Sequence, residues 1–227
     1  MSIVNTLTLE SNRQIKINFD GGDLSSDAGL LLIKEFAAKI GFTKLIKKKF
    51  KTNDEAVRFH KDAENLLQMI YQVISAYFQD DCADELTLDP VFLAVLGKES
   101  LASQPTLSRF FNRMDEDTLV QFNDIDKKLR DIIYSIKRPE HVLFDLDSTL
   151  FGTYGRQEGE GFNFHYQAHG YHPLLCYDGL TGDLIKAKLR DGTLHCSNGA
   201  DKFMESIFQE YLERGIKTYL RGDSGFS

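Results

Sequence analysis

The stretch His141-Val-Leu-Phe-Asp-Leu-Asp-Ser-Thr-Leu-Phe151 decides how the chain is read. Its apolar run Val142-Leu143-Phe144, bounded by a proline at 139 and by Ser148-Thr149, predicts a buried strand at the centre of a sheet. Asp145 and Asp147 stand two apart on it, so both carboxylates leave from one face. Like charges on one face repel unless a cation lies between them, and hard oxygen donors select Mg²⁺ or Mn²⁺. The pattern therefore predicts a metal site, against the plainer alternative of two solvated acids at a strand end.

Downstream, Pro173 to Asp178 and Leu184 to Arg190 read as two strands joined across Gly179-Leu-Thr-Gly182 as a hairpin. A helix capped by Asn198 follows, with Phe203, Met204, Ile207, Phe208, Tyr211 and Leu212 on its apolar face and Gly215 at its end. Lys217 to Arg221 is a last strand, and Asp223 in Leu220-Arg-Gly-Asp-Ser-Gly225 terminates it. If that strand lies beside the first, Asp147 and Asp223 share one metal. His165, His169, His172 and the His195-Cys196 pair fit no common zinc spacing and read as packed or hydrogen-bonded side chains. The glycines of GRQEGEG at 155–161 match no phosphate-cradling pattern and read as a flexible loop beside the acids.

Upstream of Pro139 the pattern is mainly helical. Ile15, Ile17 and Phe19 alternate as a short strand ending at Gly21-Gly22, and Ser25 or Ser26 caps a helix over 28–39 stopped by Gly41. A long amphipathic helix is expected from Asp54 to about Phe78, then an acidic break, then a helix opened by Asp89-Pro90 and closed by Gly97. Ser100 to Arg113 holds a short helix starting at Pro105, and Asp117 to Ile136 is one more amphipathic helix. The expected class is α+β: a helical region over 1–138 and a mixed-sheet α/β region over 139–227.

The length of 227 residues, with 42% hydrophobic and 27% charged side chains, excludes low-complexity disorder, and 17 glycines and 4 prolines exclude a fibrous chain. No apolar run approaches the ~18 residues of a membrane span. The N-terminus lacks a secretory pattern, and three cysteines without a Cys-x-x-Cys argue against a disulfide framework. A cytoplasmic protein without a membrane partner is expected.

The net charge of −7 hides an uneven distribution. From Lys39 to Lys61 the chain places Lys39, Lys44, Lys47, Lys48, Lys49, Lys51, Arg58 and Lys61 against only Asp54 and Glu55. That run is either a solvated helix face or a phosphate-contacting stripe. Gln104, Thr106, Ser108, Arg109 and Arg113 stand where a helix-turn-helix would place its reading helix, or mark an ordinary surface helix.

VLFDLDSTLF resembles the first motif of haloacid-dehalogenase-type phosphatases, which implies Asp145 as nucleophile and Asp147 as acid and base within a Rossmann-like domain. A wider set of segments resembles another family: FDGGDLSSDAGLLL at 19–32, DELTLDPVF at 84–92, LASQPTLSRFFNR at 101–113, FDLDST at 144–149, YHPLLCYD at 171–178, LRDGTLHCSNGA at 189–200 and YLRGDSGF at 219–226. Together they resemble the DDE group 1 transposases of bacterial insertion sequences, of the thirteen-eighty type. That resemblance implies an RNase H-like domain whose Asp, Asp, Glu triad binds two Mg²⁺ or Mn²⁺ ions for in-line attack on DNA phosphate. It assigns Asp147 to the first acid and Asp223 to the second, with Asp145 a neighbouring acid and further metal candidate. It gives the N-terminal helices, with Lys47, Lys48, Lys49 and Lys51 and the 100–113 helix, the binding of double-stranded terminal inverted repeats, as a homo-oligomer on bacterial nucleoid DNA. The family's Glu lies on a helix well beyond the second Asp, and this sequence has four residues after Asp223. The expectation is an N-terminal portion, truncated before the last strand and helices, that does not carry out strand transfer alone; a non-catalytic DNA-binding remnant is the third reading.

Overall fold

The computed structural model describes residues 6–21 and 25–226. Gly22, Asp23 and Leu24 of the first family-like segment, residues 1–5 and Ser227 lie outside the described residues. The chain divides into two compact units, Met1–Ile133 and Tyr134–Ser227.

The first unit opens with a small antiparallel pair, β1 (Thr6–Thr8) and β2 (Lys16–Asn18). Helices α1 (Leu30–Lys39), α2 (Phe42–Lys49), α3 (Asp62–Ile74), α4 (Cys82–Glu85), α5 (Pro90–Leu96), α6 (Gln104–Phe111) and α7 (Glu116–Ile136) follow, and the division falls in the last turn of α7. Asp89 caps α5 by accepting from the N–H groups of Val91 and Phe92, both at 2.9 Å, and Gly97 ends it at φ 65°. Leu30, Leu31, Tyr71, Val91, Phe92 and Val95 form one core cluster; Ile46, Phe50, Leu66, Leu67, Phe110 and Ile125 form another. Buried Gln68 ties α3 to the segment before α6, donating to the Ala102 carbonyl and accepting from its N–H, each at 2.8 Å.

One element of this unit was not anticipated and one expectation is corrected. Gly41 at φ 73° ends α1 and also opens α2, which carries Lys44, Lys47, Lys48 and Lys49 of the basic window, while Lys51, Arg58 and Lys61 precede α3 outside any helix. The helix expected from Asp54 begins only at Asp62, because Thr52, Asn53 and Asp54 spend their side chains on nearby backbone and acids: Asp54 accepts from the Ala56 N–H at 2.9 Å, and Asn53 donates to Asp115.

Asp62 closes that segment. It accepts from the Thr52 hydroxyl at 2.6 Å, the Thr52 N–H at 3.1 Å and the Arg113 guanidinium at 2.6 Å. Partial burial pushes its carboxyl up, but the Thr52 and Arg113 hydrogen bonds outweigh burial and hold it below the usual aspartate value. A depressed carboxyl contributes stability that is complete above its unfolded pKa of about 3.9 and is lost as pH falls through the lower folded value. Thermal unfolding followed between pH 6 and pH 2 should therefore show this unit weakening below about pH 4. Asp62→Asn should cost about 2 kcal/mol at neutral pH and flatten that acid limb; an unchanged limb would count against it.

In the second unit β3 (His141–Ser148) is central. The sheet order is β8 (Leu184–Lys188), β7 (Leu174–Asp178), β3, β9 (Lys217–Gly222), with β3 antiparallel to β7 and parallel to β9. Helix α8 (Ala200–Glu213) makes the crossover between β8 and β9. Its Phe203, Met204, Ile207 and Tyr211 pack on Val142, Phe144, Leu146, Leu174 and Cys176. The strand is thus buried on one face only: Val142, Phe144, Leu146 and Ser148 point into the core, while His141 and Asp147 are exposed and Leu143 and Asp145 half-buried. This mixed α+β arrangement matches the start of the RNase H-like domain that the transposase resemblance implies. A Rossmann-like core would place parallel strands on both sides of β3, and β7 is antiparallel.

The segment read as a loop, 155–161, stays outside any strand up to Gly161 and connects two strands of a second sheet, in the order β4 (Phe151–Gly152), β6 (Ala168–Tyr171), β5 (Gly161–Asn163). Three backbones meet where Gly161, Gly170 and Gly192 come together. A Cβ on Gly192 would collide with the carbonyl oxygens of Gly170 and Gly161, and one on Gly170 with the Phe151 carbonyl. Only glycine permits that approach.

Candidate functional site

The parallel register of β3 and β9 organises the site. Asp145 pairs with Arg221 and Leu146 with Gly222, so the next residues on the two strands, Asp147 and Asp223, stand level at the same end of the sheet. Asp147 accepts from the Ser148 N–H at 2.7 Å, and Asp223 accepts from the Gly225 N–H at 2.8 Å. Neither carboxylate has a cationic partner among the described residues. Asp147 projects from the exposed face of β3, whereas Asp223 enters a single 3₁₀ turn, Ser224–Phe226.

Asp145 has different surroundings. Arg221 Nε donates to Oδ1 at 2.7 Å and Nη2 to Oδ2 at 2.6 Å, so both oxygens are occupied, and the carboxylate in turn raises the Arg221 pKa above the ordinary arginine value. Gly179 makes room for it: a Cβ there would strike the Asp145 carboxylate.

Hard carboxylate oxygens with spare lone pairs suit a divalent cation. Asp147 and Asp223 supply two such groups, but among the described residues no cluster of three or more His, Cys, Asp or Glu side chains is drawn together to hold a metal. The donor set fits half of a site.

Beside Asp223 lies a cavity of about 400 Å³ lined by Ser148, Asn163, Phe164, Tyr166, His172 and Cys196, among others; Asp147 is not among its lining residues. Arg190 supports its floor. That side chain is 7% exposed and donates to the carbonyls of His172 at 2.9 Å, His195 at 3.3 Å, Cys196 at 3.2 Å and Asn198 at 2.6 Å, and to the Ser148 hydroxyl at 3.1 Å. It has no carboxylate partner among the described residues. The sequence reading assigned Arg190 only to a strand end, because backbone acceptors leave no mark in a sequence. The histidines have local partners: His172 Nδ1 lies 2.8 Å from the Leu194 carbonyl, His169 Nδ1 2.9 Å from Glu160 and His195 Nδ1 2.9 Å from the Ser197 hydroxyl.

The residues expected to touch nucleic acid all lie in the first unit. On α2, Lys47 and Lys48 are exposed while Lys49 pairs with Asp124 at 3.2 Å; Lys51 is exposed just beyond, its backbone bonded to the Gln121 amide. On α6, Gln104 donates to Asp80 at 2.8 Å, Thr106 accepts from Arg109 at 3.4 Å, Ser108 is half-buried, and Arg109 is exposed. Arg113 is committed inward, to Asp62 and to the Arg109 carbonyl. Among the described residues no helix is long and apolar enough to cross a membrane.

Residues 7–227 match the family model described as Transposase DDE domain group 1. No curated protein matches the chain. Among solved structures, the chain is similar to the cryo-EM structure of the piggyBac transposase synaptic complex with hairpin DNA, at 14% identity and a TM-score of 0.36, over 81% of this chain and 46% of that one. The chain thus spans less than half the length of that transposase.

Proposed function

This chain belongs to the DDE group 1 transposase family, and from that premise we propose that it acts in DNA transposition as the protein of a bacterial insertion sequence, of the thirteen-eighty type. Membership implies polynucleotidyl-transferase chemistry, in which DNA phosphodiesters are cleaved and rejoined. The observation that carries the site is the parallel β3–β9 register, which sets Asp147 and Asp223 level at one sheet end. In this reading they are the first two acids of the triad and hold Mg²⁺ or Mn²⁺. A cation held there stabilises charge developing on the scissile phosphate and favours the ionised form of the attacking water or 3′-hydroxyl. Asp145 is a positioning residue: its two-point bond to Arg221 locks β9 beside β3 two residues before Asp223.

Residues 1–138 form the DNA-binding region and 139–227 the catalytic one, and the protein works in the cytoplasm on double-stranded terminal inverted repeats, as a homo-oligomer. Lys47, Lys48 and Lys51 are the exposed basic groups that support this part; Arg109 and Gln104 are its candidates on α6. A net charge of −7 makes binding weak and strongly salt-dependent. The test is fluorescence anisotropy with a terminal-repeat duplex across a salt series. Replacing Lys47, Lys48 and Lys49 by Gln should weaken binding and lower the log–log salt slope by about 2, since Lys49 is already held by Asp124. Absence of binding at low salt, or a slope untouched by the substitutions, sinks this part of the proposal.

A further inference from the structure

The cavity beside Asp223 has no role in the function proposed above. It combines three features. Its volume of about 400 Å³ is at the small-ligand end of protein cavities, far below what a duplex would need. Two of its walls are aromatic and open to solvent: Phe164 is 79% exposed and Tyr166 40%. Its polar floor, which includes Ser148, His172 and Cys196, is held in place from behind by the buried Arg190, whose guanidinium binds the His172 and Cys196 carbonyls and the Ser148 hydroxyl.

The aromatic wall is rigidly built. Buried Asn163 donates to the Gly192 carbonyl at 2.8 Å and its side-chain oxygen accepts from the N–H groups of His165 and Tyr166 at 3.0 and 3.3 Å, which fixes the turn between β5 and β6. The Tyr166 hydroxyl donates to the Ser148 carbonyl at 3.2 Å, on the strand that carries Asp147. Phe162 packs edge-on against Phe164, with ring centroids 5.2 Å apart, leaving the Phe164 outer face free to stack. Flat aromatic faces beside a rigid polar floor and rim are the elements that hold an unstacked nucleotide, whose base has a π-face and polar edges.

We propose that this cavity takes one unpaired nucleotide of the DNA strand being processed, its base against Phe164 and Tyr166 and its phosphate towards the Asp223 end. The proposal rests on the DNA-transposition reading above and adds to it that the strand is locally unpaired at the site.

The test compares two probes with the full chain at low salt and with Ca²⁺ present: a blunt duplex, and the same duplex with a short single-stranded 3′ extension carrying 5-iodouracil. The extended probe should bind on the order of tenfold more tightly. Irradiation should crosslink it to the peptide holding Phe164 and Tyr166. Phe164→Ala should bring the ratio of the two affinities close to one and Phe164→Tyr should keep it, while Tyr154→Ala, at a residue 96% exposed and outside the cavity lining, should leave the ratio unchanged. A ratio of affinities is insensitive to a general loss of folded protein. Equal affinities, crosslinks elsewhere, or a ratio lowered equally by Tyr154→Ala overturn the proposal while duplex binding upholds the transposition reading. Failure to bind either probe overturns both.

Discussion

Replacing Arg190 by methionine is expected to destabilise the C-terminal unit by about 3–5 kcal/mol, although no acid loses a partner. Methionine fills much of the same space, so the loss is mainly that of hydrogen bonds. Four carbonyls, those of His172, His195, Cys196 and Asn198, and the Ser148 hydroxyl lose a shared charged donor. A hydrogen bond to a charged group contributes about 1.5–3 kcal/mol, and the bonds are not additive because water reaches the outer carbonyls once the loop relaxes. Lysine should recover only part of the loss, since a point charge on a flexible stem cannot reproduce a planar fork reaching five acceptors. Urea unfolding measures it. A cost below about 1 kcal/mol would mean that the 190–198 loop is held by something else.

The second large effect concerns function. Asp147→Asn and Asp223→Asn are each expected to weaken Mn²⁺ binding by at least tenfold, because an amide oxygen is a neutral and poorer donor to a hard cation. DNA cleavage by any form of the protein that carries it out should fall by about 10³-fold or more with either change. Neither substitution should reduce stability in metal-free buffer, since both carboxylates lack a cationic partner among the described residues. Asp145→Asn should behave in the opposite way, leaving Mn²⁺ affinity nearly intact and loosening β9, because its oxygens are spent on Arg221. Titration of Mn²⁺ followed by electron paramagnetic resonance, beside a turnover assay on a simple phosphate monoester, separates the readings. Mn²⁺ affinity indifferent to Asp147 and Asp223, or monoester turnover dependent on Asp145, would remove the transposase assignment of the acids and favour phosphatase chemistry.

Much of the fold was legible wherever a residue acts on its immediate neighbours. Asp89, Pro90 and Gly97 bracket α5 because a cap, a fixed φ and a left-handed residue each work within a few positions. The β7–β8 hairpin was legible for the same reason, with Gly182 at φ 82° in its turn. The glycine at 41 was misread as a plain stop because one left-handed residue can end a helix and begin another, which sequence alone does not distinguish. The pairing of the strands over 151–171 was not legible because it brings Gly161, Gly170 and Gly192 into close backbone approach, which no side-chain period marks. Of the site, the spacing of Asp145 and Asp147 was visible, but their different fates were not: only the register of β9 puts Arg221 opposite Asp145 and leaves Asp147 unpaired.

The parallel pairing of β3 with β9 has a consequence for the order in which the molecule assembles. Arg221 and Asp145 are 76 residues apart, and a parallel pair cannot be closed by a turn. The β7–β8 hairpin and α8 involve short closures and are expected to form early, whereas β9 docks only after the chain between has condensed and its loop entropy has been met. The two acids are therefore expected to be brought level late in folding. Intermediates that already hold the hairpin and α8 carry Asp147 with no Asp223 beside it, so the juxtaposition of the two acids is expected to belong to the native fold alone.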